Sequence, residues 1–260
     1  GEPSQCELLC GNGTLDATFD TDGNAIAITP LLGPGPNATA RYPQLTMEGG
    51  RLYLAWTTLQ ASGQLPHWAI HWMMSEDGGA TWTTAPGGAP LALPVVSDET
   101  GPAPRITLDD EFSLDTWLSS FIARKGKLHF AYLAQTTPHR QHYLRVNPAV
   151  GKELDTTPSW RAGDSEIARL DGFFATGEAQ PRLFMGSTTT DGRILVIAST
   201  DEGKSWLEHG ISNALPAGMY AYAVSGSRAL GPKGAVLGHF TGVEGTQYSL
   251  WFFRVKSATR

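Results

Sequence analysis

Along this chain apolar residues alternate with polar ones or gather in short runs, and Gly-, Pro- or Asp-rich stretches cut each run off. Arg51-Leu-Tyr-Leu-Ala-Trp56, Trp68-Ala-Ile-His-Trp-Met73, Lys127-Leu-His-Phe-Ala-Tyr132, Arg193-Ile-Leu-Val-Ile-Ala198 and Tyr248-Ser-Leu-Trp-Phe-Phe253 are of this kind. No long segment repeats its apolar residues at helical spacing. Short runs with a period near two, punctuated by turn residues, predict an all-β protein.

The runs sort into units of similar length, the mark of a repeat architecture. The first, Ala40 to Val95, reads strand, Gly49-Gly50 turn, strand, loop, strand, Asp-Gly turn, strand. The second runs from Leu118 to Leu170, the third from Gly172 to Ser212. The fourth, Tyr220 to Lys256, has three strand-like runs and lacks a fourth. Asn24-Ala-Ile-Ala-Ile-Thr29 is expected to supply it, because a ring closed by strands from both ends leaves no open sheet edge. Ser97 to Asp115, with Gly101-Pro-Ala-Pro104 and Asp109-Asp-Glu111, reads as a long surface loop.

One pattern occurs twice at matching places. Ser75-Glu-Asp77-Gly-Gly79-Ala-Thr81-Trp82 and Ser199-Thr-Asp201-Glu-Gly203-Lys-Ser205-Trp206 both follow an apolar strand. The chemistry is that of a tight turn: the Asp accepts from turn amides, the Gly takes a positive φ, and Ser or Thr ties the flanks together. The Trp then packs back onto the strand as an apolar anchor. These are Asp-boxes, and the chain from Arg41 onward resembles the sialidase-like, or BNR-repeat, β-propellers. The resemblance implies a propeller of four to five blades over residues 24–260, closed by the N-terminal strand, behind a tail at 1–23. In that family the Asp-box is structural, so Asp77 and Asp201 are expected to be turn residues.

The resemblance also implies where a sialidase site would lie. Family members bind the substrate carboxylate with an arginine triad and attack with a Tyr–Glu pair, helped by an acid/base Asp. A guanidinium fork matches a carboxylate, and a neutral Tyr nucleophile does not repel an anionic sugar. Arg41-Tyr42-Pro43 resembles the Arg-x-Pro of the first family blade, Gly177-Glu178-Ala-Gln-Pro-Arg182 the Glu-bearing segment, and Tyr220-Ala-Tyr222 the blade that carries the tyrosine. The loop Thr57 to Pro66, where the acid/base Asp and a neighbouring Arg are sought, contains neither.

Composition narrows the classes. The net charge is −6 and Lys and Arg form no block, which leaves no phosphate-tracking surface for nucleic acid. No apolar run reaches the ~18 residues that span a bilayer as a helix. Cys6 and Cys10 form either a small disulfide loop or the stump of a Cys-rich segment, and Cys10-Gly11-Asn12-Gly13 resembles openings of Cys-rich repeats in secreted bacterial proteins. Asn12 and Asn37 head glycosylation sequons.

The remaining chemistry is aromatic and imidazole. Trp56, Trp68, Trp72 and Trp117 either line a sugar-stacking groove or pack between blades. His67 and His71, about 13 Å apart on a regular strand, do not share a metal, whereas His139, His142 and His129 could converge on zinc or copper. No cofactor is expected, and nothing in the chain speaks to oligomeric state. Three functions stay open: a secreted or surface-exposed, non-catalytic propeller binding a glycan or protein at its central face; a sialidase-type hydrolase using Arg41, Glu178 and Tyr220 or Tyr222; and a His-based metal-binding surface protein.

Overall fold

The computed structural model describes residues 18–19, 25–27, 30–35, 38–60, 67–97, 103, 105–106, 116–134, 140–156, 172–177, 182–189 and 192–256. Cys6, Cys10, Asn12, Asn37, His139 and Glu178 lie outside them. Among the described residues there is no α-helix, and one 3-10 turn stands at Pro232–Gly234. The chain divides into two compact units, residues 1–115 and 116–260.

In the first unit β1 (Thr18–Phe19) and β2 (Ala25–Ala27) form a two-stranded antiparallel sheet. The strand expected to close the last unit therefore pairs locally. A short connection costs much less loop entropy than one to the far end of the chain. β3 (Leu32–Pro34) pairs in parallel with β7 (Val95–Ser97). Between them β4 (Ala38–Glu48), β5 (Arg51–Gln60) and β6 (His67–Ser75) make a three-stranded meander. Gly49 and Gly50, both at positive φ, turn the first hairpin as the sequence predicts. Beyond the Asp-Gly turn the expected fourth strand is reduced to one bridge, Met74 to Thr83. Leu32, Leu54, Trp56, Met73, Trp82, Val95 and Ala103 form the core on one face of this sheet.

Two expectations change here. Thr57–Gln60, read as loop, belongs to β5, because Thr57 and Thr58 are β-formers that continue the pairing with β4 and are fully buried. The 97–115 segment is not all surface loop: Ala103 is buried, Arg105 bridges His71, and the Ile106 amide donates to Ile70 O at 2.9 Å.

The second unit holds three consecutive antiparallel meanders. They are β8 (Thr116–Arg124) to β11 (Gly151–Thr156) by way of β9 (Lys127–Ala134) and β10 (Arg140–Asn147); β12 (Phe173–Ala175), β13 (Leu183–Thr188), β14 (Ile194–Ser199) and β15 (Leu207–Ile211); and β16 (Tyr220–Gly226), β17 (Val236–Glu244) and β18 (Gln247–Val255). The third meander has three strands, as its sequence indicates. The first strands are neighbours, β12 lying beside both β8 and β16.

The middle sheet shows why the runs at 183–186 and 194–198 carry no polar side chain. Phe174, Leu183, Met185, Leu195 and Ile197 face one core together with Ile122, Ala131 and Tyr143 of the preceding sheet. Phe173, Ala175, Phe184, Ile194 and Val196 face the other with Ala221, Val224, Val236 and Phe240 of the following sheet. A strand covered on both faces has no polar side to present. Each fully buried Leu, Ile or Phe contributes roughly 1.5–3 kcal/mol. Gly186 and Gly226 leave room for the Phe173 ring, which any Cβ at either position would strike.

Candidate functional site

The two repeated Asp-Gly turns have the same hydrogen bonds. Ser75 Oγ donates to Asp77 Oδ1 at 2.8 Å and accepts from the Gly79 amide at 2.8 Å. Asp77 takes the Thr81 amide at 2.9 Å and the Thr81 hydroxyl at 2.6 Å. In the second turn the Ser199–Asp201 bond is 2.8 Å, the Gly203 amide reaches Ser199 Oγ at 2.7 Å, and Ser205 gives its amide and hydroxyl to Asp201 at 2.9 and 2.6 Å. The Thr81 and Ser75 bonds hold the Asp77 carboxyl down at about 2; at Asp201 burial opposes, and the Ser205 and Ser199 bonds prevail, again giving about 2. Trp82 and Trp206 are buried as anchors.

The second turn is stapled to the β8–β11 sheet by a network of polar groups. The Glu202 carboxylate accepts from Arg124 Nε at 3.2 Å and Lys125 Nζ at 2.6 Å. The Glu202 carbonyl takes Tyr143 Oη at 2.9 Å and Arg145 Nη1 at 2.6 Å. His129, fully buried, meets Tyr143 Oη through Nδ1 at 2.7 Å and lies 3.7 Å from Glu202 Oε2 through Nε2. Burial drives the His129 imidazole down to about 4 despite the Glu202 charge, and burial pushes the Tyr143 phenol far above its ordinary value. Burial also opposes ionisation of Glu202, but the Lys125 and Arg124 hydrogen bonds outweigh it and hold the carboxyl below its usual range. A neutral His, a neutral Tyr and a fully engaged carboxylate make a buried network that fixes one packing arrangement. Arg124 also donates to Thr176 Oγ1, which ties β8 to the end of β12. This staple was missed from sequence: Arg124, His129, Tyr143 and Arg145 on strands and Lys125 on a turn lie far along the chain from Glu202, and only the odd choice of Glu at a turn position taken by Gly78 in the first copy hints at it.

The opposite ends of the sheets, where first strands begin, carry different chemistry. In the first unit Arg41 is exposed, at a bulge that interrupts the β4–β5 register between Arg41 and Gln44. Tyr42 adopts φ 52°, a conformation a tyrosine rarely takes, and is itself exposed. In the second unit Trp117 is half-buried near the start of β8, Tyr132 and His142 stack 5.0 Å apart, and Ser187, Thr188 and Thr189 are buried at the end of β13. Tyr220 and Tyr222 begin β16, with side chains outside the described set, as are those of Trp68 and His67.

Other expected residues stand elsewhere. Trp56 is fully enclosed in the first unit's core and stacks on His71 with centroids 5.7 Å apart, so it has no face for a sugar ring; Trp72 is buried as well. His71 meets Ala103 O at 3.2 Å through Nδ1. His129 and His142 do not converge: His129 pairs across the ladder with Arg145, three residues from His142, which puts the two on opposite faces about 10 Å apart. Among the described residues no group of three His, Cys, Asp or Glu could hold a metal ion. No helix among them is long and apolar enough to cross a membrane.

No protein-family model matches the chain, and no curated protein matches it in sequence. Solved structures do. A Trypanosoma rangeli sialidase in complex with 2,3-difluorosialic acid, a covalent intermediate, is 12% identical with a TM-score of 0.51, over 93% of this chain and 39% of that one. A Penicillium chrysogenum α-L-arabinanase complexed with arabinobiose is 13% identical with a TM-score of 0.51, over 89% of this chain and 62% of that one. This chain thus spans less than two thirds of the length of either. At such identity the likeness concerns fold alone, and it makes this an all-β protein of the β-propeller kind.

Proposed function

We propose that the chain is a secreted or surface-exposed, non-catalytic propeller that binds an acidic glycan at the end of the first unit's meander where β4 begins. Exposed Arg41, on a bulge fixed by Pro43 and the left-handed Tyr42, carries the reading, since a guanidinium presented on a rigid strand start suits a sugar carboxylate. At the turn end, by contrast, Arg124, Lys125, Arg145 and Glu202 are engaged with one another.

A sialidase-type hydrolase using Arg41, Glu178 and Tyr222 is the second reading, favoured by the fold likeness to the Trypanosoma sialidase. Against it stands the segment Thr57 to Pro66, where an acid/base Asp and a neighbouring Arg are sought and neither occurs. Incubation with a fluorogenic sialoside separates the two: no turnover is expected, and turnover abolished by Tyr222→Phe would establish the hydrolase. A glycan array with no acidic hits would refute the binding reading.

A further inference from the structure

Strand β18 closes the last sheet, yet it is not built as an edge. The last strands of the two sheets before it are blunted: β11 carries Lys152, Glu153 and Asp155 with a register break between Arg145 and Val146, and β15 carries Glu208 and Gly210 with a break between Val196 and Ile197. Charges and bulges of this kind keep an edge from recruiting another strand. β18 has neither. Its pairing with β17 runs unbroken from Val236 opposite Val255 to Glu244 opposite Gln247, and its nine residues contain one charge, Arg254, and no Gly or Pro. Both of its faces are apolar. Phe253 and Val255 pack into the core, and Trp251 stacks on Phe240 at 6.1 Å with planes 8° apart. On the other face Tyr248, Leu250 and Phe252 stand 71%, 76% and 70% exposed. A strand apolar on both faces reads as an inner strand, but among the described residues nothing pairs with its outer edge.

We propose that β18 pairs with β18 of a second copy of this chain, antiparallel and centred on Trp251. Three features favour a second copy in that register. The strand is its own complement: a two-fold axis at Trp251 sets Leu250 opposite Phe252 and Tyr248 opposite Arg254 of the second copy, so apolar meets apolar and a cation meets an aromatic ring. All nine residues overlap, and each side chain keeps its face. Charge also selects the antiparallel sense, because Glu244 stands at one end of the β17–β18 hairpin and Arg254 and Lys256 at the other, so opposite charges meet only when the two hairpins run head to tail. The result is one continuous six-stranded sheet across two chains.

Sedimentation equilibrium of the full chain from about 1 to about 100 μM tests this, with two paired substitutions at exposed positions. Leu250→Lys with Phe252→Lys sets like charges opposite each other twice across the pair and is expected to weaken dimerisation by about tenfold or more. Leu250→Lys with Phe252→Glu sets opposite charges there and is expected to keep the dimer. Thermal unfolding verifies that both variants fold. A wild type monomeric throughout, whether its edge is bare or filled by another strand, overturns the proposal. So does a double-lysine variant that dimerises no more weakly than the Lys/Glu variant.

Discussion

Replacing Glu202 by glycine puts two effects of opposite sign in competition. Glu202 sits at φ 56°, where a side chain costs about 1 kcal/mol relative to glycine, and the first turn has Gly78 at that place. On backbone grounds alone Glu202→Gly stabilises. Against this stands Arg124, whose side chain is 8% exposed and whose carboxylate partner would vanish. Breaking a buried pair from one side costs about 3–5 kcal/mol. The Glu202 side chain is 19% exposed and Thr176 still accepts from Arg124, so the lower end, about 3 kcal/mol, applies. Lys125, 57% exposed, adds under about 1 kcal/mol. The net is a loss of about 2 kcal/mol, or roughly 6 °C in Tm for a unit of this size. Differential scanning calorimetry reads it directly, and the loss should persist at high salt because the Arg124 pair is screened little. A Tm equal to or above that of the wild type would refute the idea that the staple outweighs the strain.

Acid should weaken the second unit through His129. Its folded value, about 4, lies below the ordinary 6.5, so the unfolded chain takes up the proton first and stability falls as pH drops from 6.5 to 4, by about 3 kcal/mol; urea titrations across that window check this, and a flat profile would contradict it. Two left-handed glycines should behave differently: a Cβ at Gly203 strikes the Tyr143 ring, whereas one at Gly78 meets open space, so Gly203→Ala is expected to cost several times the ~1 kcal/mol of Gly78→Ala in chemical denaturation. Trp56→Ala should cost about 3–5 kcal/mol as a core deletion, and an effect under ~1 kcal/mol in the same experiment would mean the ring is not enclosed.

The strands, the Gly49-Gly50 turn and the two Asp turns were legible because each is local: alternation, β-branched runs and turn residues act within a few positions. What escaped is long-range. Leu32–Pro34 reads as nothing in particular until Val95–Ser97 pairs with it in parallel, and three residues offer too short a period to detect. Ala25–Ala27 looks like a free strand, and sequence cannot say that its neighbour Thr18–Phe19 claims it. Trp56 and Trp117 look alike along the chain; burial separates them, since Trp56 opposes His71 in a central strand and Trp117 stands at a strand start. His129 appeared as a possible ligand because its partners, Tyr143 and Glu202, come from other strands and a turn. Pro43 marks in sequence the bulge beside which Arg41 stands exposed.

Whether the chain holds a carboxylated sugar through Arg41 without cutting it is read most directly by calorimetric titration with a sialic-acid-terminated oligosaccharide, followed by assay of the cell contents for free sugar. Saturable binding, weakened about tenfold or more by Arg41→Ala, with the oligosaccharide recovered intact, is the expected result. Release of free sialic acid, or binding that ignores Arg41→Ala, would contradict it.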